Sequence, residues 1–105
     1  GKDALTAGAQ QKLTLVAGTL APQAETHDFV VEGHTDSRGS RDFNMTLSQN
    51  RAQAVMNFLV ARGVPAGSIT SVGIGPDRPI AENTTRTGRA QNRRVEIIVR
   101  RLEAR

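Results

Sequence analysis

FVVEGHTDSRGSRDFNMTLSQNR, residues 29–51, is the stretch that decides the fold. Its apolar opening, Phe29-Val30-Val31, reads as the heart of a strand over residues 27–33 that Gly33 ends. The polar trio His34-Thr35-Asp36 follows, and Ser37-Arg38-Gly39-Ser40 makes a turn-prone loop. A helix over residues 48–62 comes next, with Ser48 as its N-cap, Arg51 in its first turn, and Ala52, Val55, Met56 and Leu59 on its buried face. Gly63 stops that helix in the C′ position, and Pro65 bars its continuation. A strand that ends in a carboxylate, answered by an arginine at a helix start, presents one charge of each sign. Such a site suits a zwitterion, a ligand with an ammonium and a carboxylate on one carbon.

Upstream, Leu13, Val16, Ala17 and Leu20 form a helical stripe within residues 6–20, and Pro22 closes it. Downstream, Ile69 and Val72 anchor a strand over 68–73, and Gly73-Ile74-Gly75-Pro76 breaks its ladder. Residues 76–88 read as loop, 89–93 as a short helical turn and 95–99 as the last strand. There Val95, Ile97 and Val99 face one way, and Glu96, Ile98 and Arg100 the other. The fold class expected is α/β, an α+β sandwich with helices packed on one face of a small mixed β-sheet. Residues 1–105 are taken as one domain, a fragment of a longer protein because Gly1 follows no Met or signal pattern.

No apolar run approaches the ~18 residues that a membrane helix needs, and the absence of cysteine excludes disulfides and thiolate metal sites. The net charge of +4 is uneven, with twelve of the fourteen Lys and Arg lying beyond residue 36. A basic half attracts anions, so a nucleic-acid module using the arginine-rich 86–105 segment stands as an alternative. Against it, Trp and Tyr are absent and only three Phe are available for base stacking.

Other small motifs carry less. His34 and Asp36 have an H-x-D spacing, but the only other histidine is His27 and no acidic cluster completes a metal ligand set. Gly73-Ile74-Gly75 lacks the third glycine and the following helix of a dinucleotide loop. Arg93-Arg94 could meet a phosphate. No nucleophile, base and orienter occur together, so the reading is of a binding module rather than an enzyme, with no cofactor.

The segments GHTDSRG at 33–39, NMTLSQNRA at 44–52 and TGRAQNRRVEI at 87–97, together with GIGPDRPIAEN at 73–83, resemble the OmpA-like carboxy-terminal domain family. That domain also occurs in the peptidoglycan-associated lipoprotein and in the flagellar stator protein MotB. The resemblance runs from about Leu5 to Ile98, with the signatures in order. It implies a βαβαβ topology whose first strand is expected before Gly1. It implies non-catalytic, non-covalent binding of peptidoglycan through the meso-diaminopimelate of the stem peptide. It implies a periplasmic location too, attached to the outer membrane or cell envelope through residues upstream of Gly1. A membrane enters only through that upstream region, nucleic acid is no partner, and the oligomeric state is open, a homodimer included. On the family's motif the ligand roles fall to Asp36 and Arg51, with Thr35, Asn44 and Arg94 lining the pocket.

Diaminopimelate differs from lysine by one carboxylate beside the free amine. Asp36 can accept hydrogen bonds from the ammonium, and Arg51 can fork onto the carboxylate. Orphan N–H donors of a helix starting at 48 would favour the same carboxylate. The plainer alternative is that Asp36 and Arg51 pair with each other and tie loop to helix.

Overall fold

The computed structural model describes residues 5–103. In chain order the elements are α1 (Ala7–Leu20), a 3₁₀ turn (Ala21–Gln23), β1 (His27–His34), α2 (Arg41–Ala61), a second 3₁₀ turn (Ala66–Ser68), β2 (Ile69–Gly75), α3 (Arg86–Asn92) and β3 (Arg94–Arg101). Thr6 caps α1 by accepting from the Ala9 N–H at 3.1 Å.

β1 is the centre of a mixed sheet of order β2-β1-β3, parallel to β2 and antiparallel to β3. The α/β class with helices on a small mixed sheet is therefore as expected. The strand expected before Gly1, like anything in residues 1–4, lies outside the described residues. No helix among the described residues is long and apolar enough to cross a membrane.

α2 lies along β1 and β2, and α1 packs on α2. The shared core is Ala17, Leu20, Phe29, Val31, Ala52, Val55, Leu59, Val64 and Ile69. Burying Phe29 or Leu59 contributes about 1.5–3 kcal/mol each. Cross-strand partners share a face, and Phe29 stands opposite Val99, Val31 opposite Ile97 and Gly33 opposite Val95. Val95, Ile97 and Val99 thus lie on the core side, as the alternation predicts. Only Ile97 packs against the core; Val95 and Val99 stay partly exposed on the outer strand.

The sequence reading errs at the start of α2. The helix begins at Arg41, and Ser40 is the cap, accepting from the Phe43 N–H at 3.1 Å. Ser48 is instead fully buried inside the helix. Its hydroxyl donates to the Met45 carbonyl and accepts from the Gly75 N–H, both at 2.9 Å. The cause is that the buried stripe continues backwards through polar side chains, Ser48 and Asn44, where hydropathy shows no period.

β2 also runs on to Gly75, past the break expected at Gly73, with a register irregularity between Gly33 and His34. The glycines here serve close approach. A Cβ on Gly33 would sit 2.1 Å from the Ser48 carbonyl oxygen, and one on Gly73 2.6 Å from the Gln49 nitrogen. The helix therefore rests directly on strand backbone, just below the loop that carries Asp36. The last two elements start earlier than expected, α3 at Arg86 under a Thr85 cap and β3 at Arg94.

Candidate functional site

The chain leaves β1 with His34, Thr35 and Asp36, all three buried. The Thr35 N–H donates to the Gly75 carbonyl at 3.0 Å, which ties the strand end to β2. The Thr35 hydroxyl donates to the Asp36 carbonyl at 2.8 Å. Asn44, in the first turns of α2, donates to the Arg38 carbonyl at 2.7 Å and to the Asp36 carbonyl at 3.5 Å. Both residues thus shape the Asp36 loop from below.

Asp36 is 8% exposed, and its carboxylate has two partners. Oδ1 accepts the Arg38 N–H at 2.9 Å, and Oδ2 accepts Arg93 Nη1 at 2.8 Å. Burial pushes the Asp36 carboxyl up, but the Arg38 amide and the Arg93 guanidinium outweigh it and hold it below the ordinary carboxylate range. Asp36 is therefore a fixed anion at the top of the sheet.

Arg51 is not at a helix start. It lies in the third turn of α2, half-buried, on one stripe with Asn44 and Ser48 at spacings of four and seven. Seven residues correspond to about 10 Å of helix, so Arg51 lies that far along α2 from the side chain that holds the loop. The N–H donors near it are spent within the helix, so the helix-terminus contribution expected there is absent. Nor do Asp36 and Arg51 pair with each other; Arg51 has no hydrogen-bond or ion-pair partner among the described residues.

The neighbouring arginines differ from expectation too. Arg93, which the family motif leaves out of the pocket, is the one that reaches Asp36. Arg94 pairs with Glu96 and donates to the Asn92 and Arg78 carbonyls at 3.2 and 3.0 Å. Consecutive residues of extended chain point to opposite sides, so only one of this pair can face Asp36. Strand phase could have raised the question but could not say which.

His34 turns to Glu32, with Nε2 and Oε1 3.2 Å apart, rather than toward Asp36. Glu96 stands opposite Glu32 on β3, and one ligand atom from each of Glu32, His34 and Glu96 lies within 4.8 Å of the others. An acidic pair therefore does flank His34, contrary to the sequence reading, which could not know the register. Each carboxylate already meets an arginine, Arg78 on Glu32 and Arg94 on Glu96. The cluster neutralises itself, and a cation would have to displace those arginines.

Comparison with known proteins gives a consistent picture. The OmpA family profile matches residues 1–93. The chain is 51% identical over 85 residues to the probable lipoprotein YiaD of Escherichia coli K12, covering 81% of this chain and 38% of that protein. It is 52% identical over 69 residues to the peptidoglycan-binding protein ArfA of Mycobacterium tuberculosis H37Rv, covering 66% of this chain and 21% of that one. It therefore spans well under two thirds of these relatives' length. Among solved structures, the peptidoglycan-associated lipoprotein of Burkholderia pseudomallei superposes with a TM-score of 0.86 at 28% identity, over 93% of this chain and 82% of that chain. The carboxy-terminal domain of Helicobacter pylori MotB gives 0.87 at 28% identity, over 92% and 75%.

Proposed function

The chain belongs to the OmpA family, and on that premise we propose that it binds peptidoglycan non-covalently through the diaminopimelate of the stem peptide. The observation that carries the reading is the clamped, ionised Asp36 with Arg93 on its Oδ2, together with Arg51, unpartnered among the described residues, on the stripe of α2 that also carries Asn44. The ligand ammonium goes to Asp36. The carboxylate on the same carbon goes to Arg51, which has no partner among the described residues, and to the nitrogens that Arg93 does not spend on Asp36. Each such charge-assisted bond contributes about 1.5–3 kcal/mol once water is excluded. Thr35 and Asn44 serve the site by fixing the Asp36 peptide, and Arg94 by holding the wall at residue 78. Names of relatives such as ArfA point the same way.

The module acts as a binder in the cell envelope, an anchor for whatever larger protein carries it, and performs no catalysis. The nucleic-acid alternative is weakened because Arg93, Arg94 and Arg100 of the 86–105 segment are each ion-paired to a carboxylate. The test is to incubate the chain with purified sacculi and soluble muropeptides. Co-sedimentation with unaltered muropeptides by mass spectrometry supports the reading; cleaved product, or no sedimentation, refutes it.

A further inference from the structure

The loop after β2 is held by an asparagine that no ligand could touch. Asn92 is 0% exposed. Its Oδ1 accepts from the Ile80 and Ala81 N–H groups at 2.8 and 3.0 Å, and its Nδ2 donates to the Ala81 carbonyl and to Asn83 Oδ1 at 2.9 and 2.8 Å. That is the full donor and acceptor capacity of an amide side chain. Asn83 is braced a second time, its carbonyl accepting Arg89 Nη1 at 3.0 Å.

The same Asn83 Oδ1 also accepts the Ser37 N–H at 3.3 Å. That N–H belongs to the peptide joining Asp36 to Ser37. The carbonyl end of this peptide is held by Thr35 and Asn44. Its plane is therefore fixed from both ends, by β1 and α2 on one side and by the 80–83 loop on the other. The plane sets the direction in which the Asp36 side chain leaves the backbone, and it places the Arg38 N–H against Oδ1. Asn92 also sits next to Arg93, so one buried side chain anchors the backbone behind both partners of the ion pair.

We infer that Asn83, braced by Asn92, is a positioning residue for Asp36 that acts on ligand affinity through the Asp36–Ser37 peptide without touching the ligand. The inference rests on the reading of Asp36 as the acceptor of the ligand ammonium. It makes a specific chemical demand. Asn83 uses Oδ1 only as an acceptor, and its Nδ2 makes no hydrogen bond among the described residues. An aspartate can supply that acceptor; an alanine cannot.

The experiment compares wild type, Asn83→Ala and Asn83→Asp, with calorimetry against a diaminopimelate stem tripeptide and an NMR titration of the Asp36 carboxyl. Asn83→Ala is expected to weaken binding about 3–10-fold, as for one lost hydrogen bond, and to move the Asp36 titration to higher pH. Asn83→Asp is expected to bind within threefold of wild type. An Asn83→Ala affinity within twofold of wild type, or an unmoved Asp36 titration, overturns the inference. So does a tenfold loss in Asn83→Asp, which decides the matter even if the alanine variant does not fold. Failure of the wild type to bind would instead sink the wall-binding reading, and the ligand-free titration would then still judge whether Asn83 positions Asp36.

Discussion

Asp36 and Glu32 are two buried carboxylates on the same strand end, four residues apart, each 8% exposed and each beside an arginine. Burial pushes the Glu32 carboxyl up, as it does at Asp36. Arg78 and His34 overcome it there, as Arg38 and Arg93 do at Asp36, and both groups end below the ordinary carboxylate range. A perturbed titration therefore does not separate a binding group from a structural one in this molecule. What separates them is the neighbourhood. Glu32 and Glu96 are matched by Arg78 and Arg94, so that cluster is closed. Asp36 is matched by Arg93, and Arg51 on α2 has no partner among the described residues. In the proposed site, that surplus cation leaves the second cluster open to a ligand that brings both charges.

The comparison breaks most sharply by single substitution. Asp36→Ala and Arg51→Ala are each expected to cost about 2–4 kcal/mol in binding to sacculi, because the first strips the ligand ammonium of its partner and the second takes one of two guanidiniums from its carboxylate. Circular dichroism should show the fold intact, since neither side chain belongs to the apolar core. Wild-type binding in both folded variants would place the pocket elsewhere. Glu32→Ala should do the reverse. It strands the buried His34 against Arg78, lowering stability in urea by about 1–3 kcal/mol, while binding stays within twofold. If Glu32→Ala abolished binding in a folded protein, the two clusters would be one site.

Much of the molecule could be read from sequence. β1, the α1 stripe, the end of α2 at Gly63 and the phase of β3 follow from apolar period and punctuation. The α2 start was hidden because Asn44 and Ser48 are buried polar residues, chosen for hydrogen bonds to the loop and to β2 rather than for hydropathy. Asp36 and Arg51 could be proposed from the motif, but the partner of Asp36 could not be read. That partner depends on which of Arg93 and Arg94 faces the loop, and strand alternation alone leaves the choice open. Asn83 and Asn92 were equally hidden, since two asparagines nine residues apart carry no period. Only the folded loop shows them sharing a hydrogen bond.

pH sharpens the comparison more gently. A carboxyl whose folded pKa lies below its unfolded value binds fewer protons in the native state, so it stabilises the fold above the unfolded pKa. That stabilisation is lost as pH falls through the depressed folded pKa. Glu32 and Asp36 both have this sign. Stability should therefore fall on acidification below the ordinary carboxylate range, and Glu32→Gln or Asp36→Asn should each flatten part of that slope in urea titrations at stepped pH. A slope that neither variant changes would mean other groups carry the acid sensitivity. The smallest effect is expected from Arg86→Ala, an exposed arginine with no ion-pair partner among the described residues. Binding there should stay within twofold, and a larger loss would favour a diffuse basic surface over a defined pocket.

The proposed site reads a carboxylate and an ammonium on one carbon. Calorimetry with matched stem peptides, one ending its side chain in diaminopimelate and one in lysine, tests it most directly. Lysine keeps the ammonium for Asp36 but leaves Arg51 and Arg93 facing an empty position, and a site built to hydrogen-bond a group rejects the analogue lacking it. With two charge-assisted bonds lost at about 1.5–3 kcal/mol each, the diaminopimelate peptide should bind at least ~100-fold more tightly. Equal affinities would contradict the account, because the arginines would then not be reading that carboxylate.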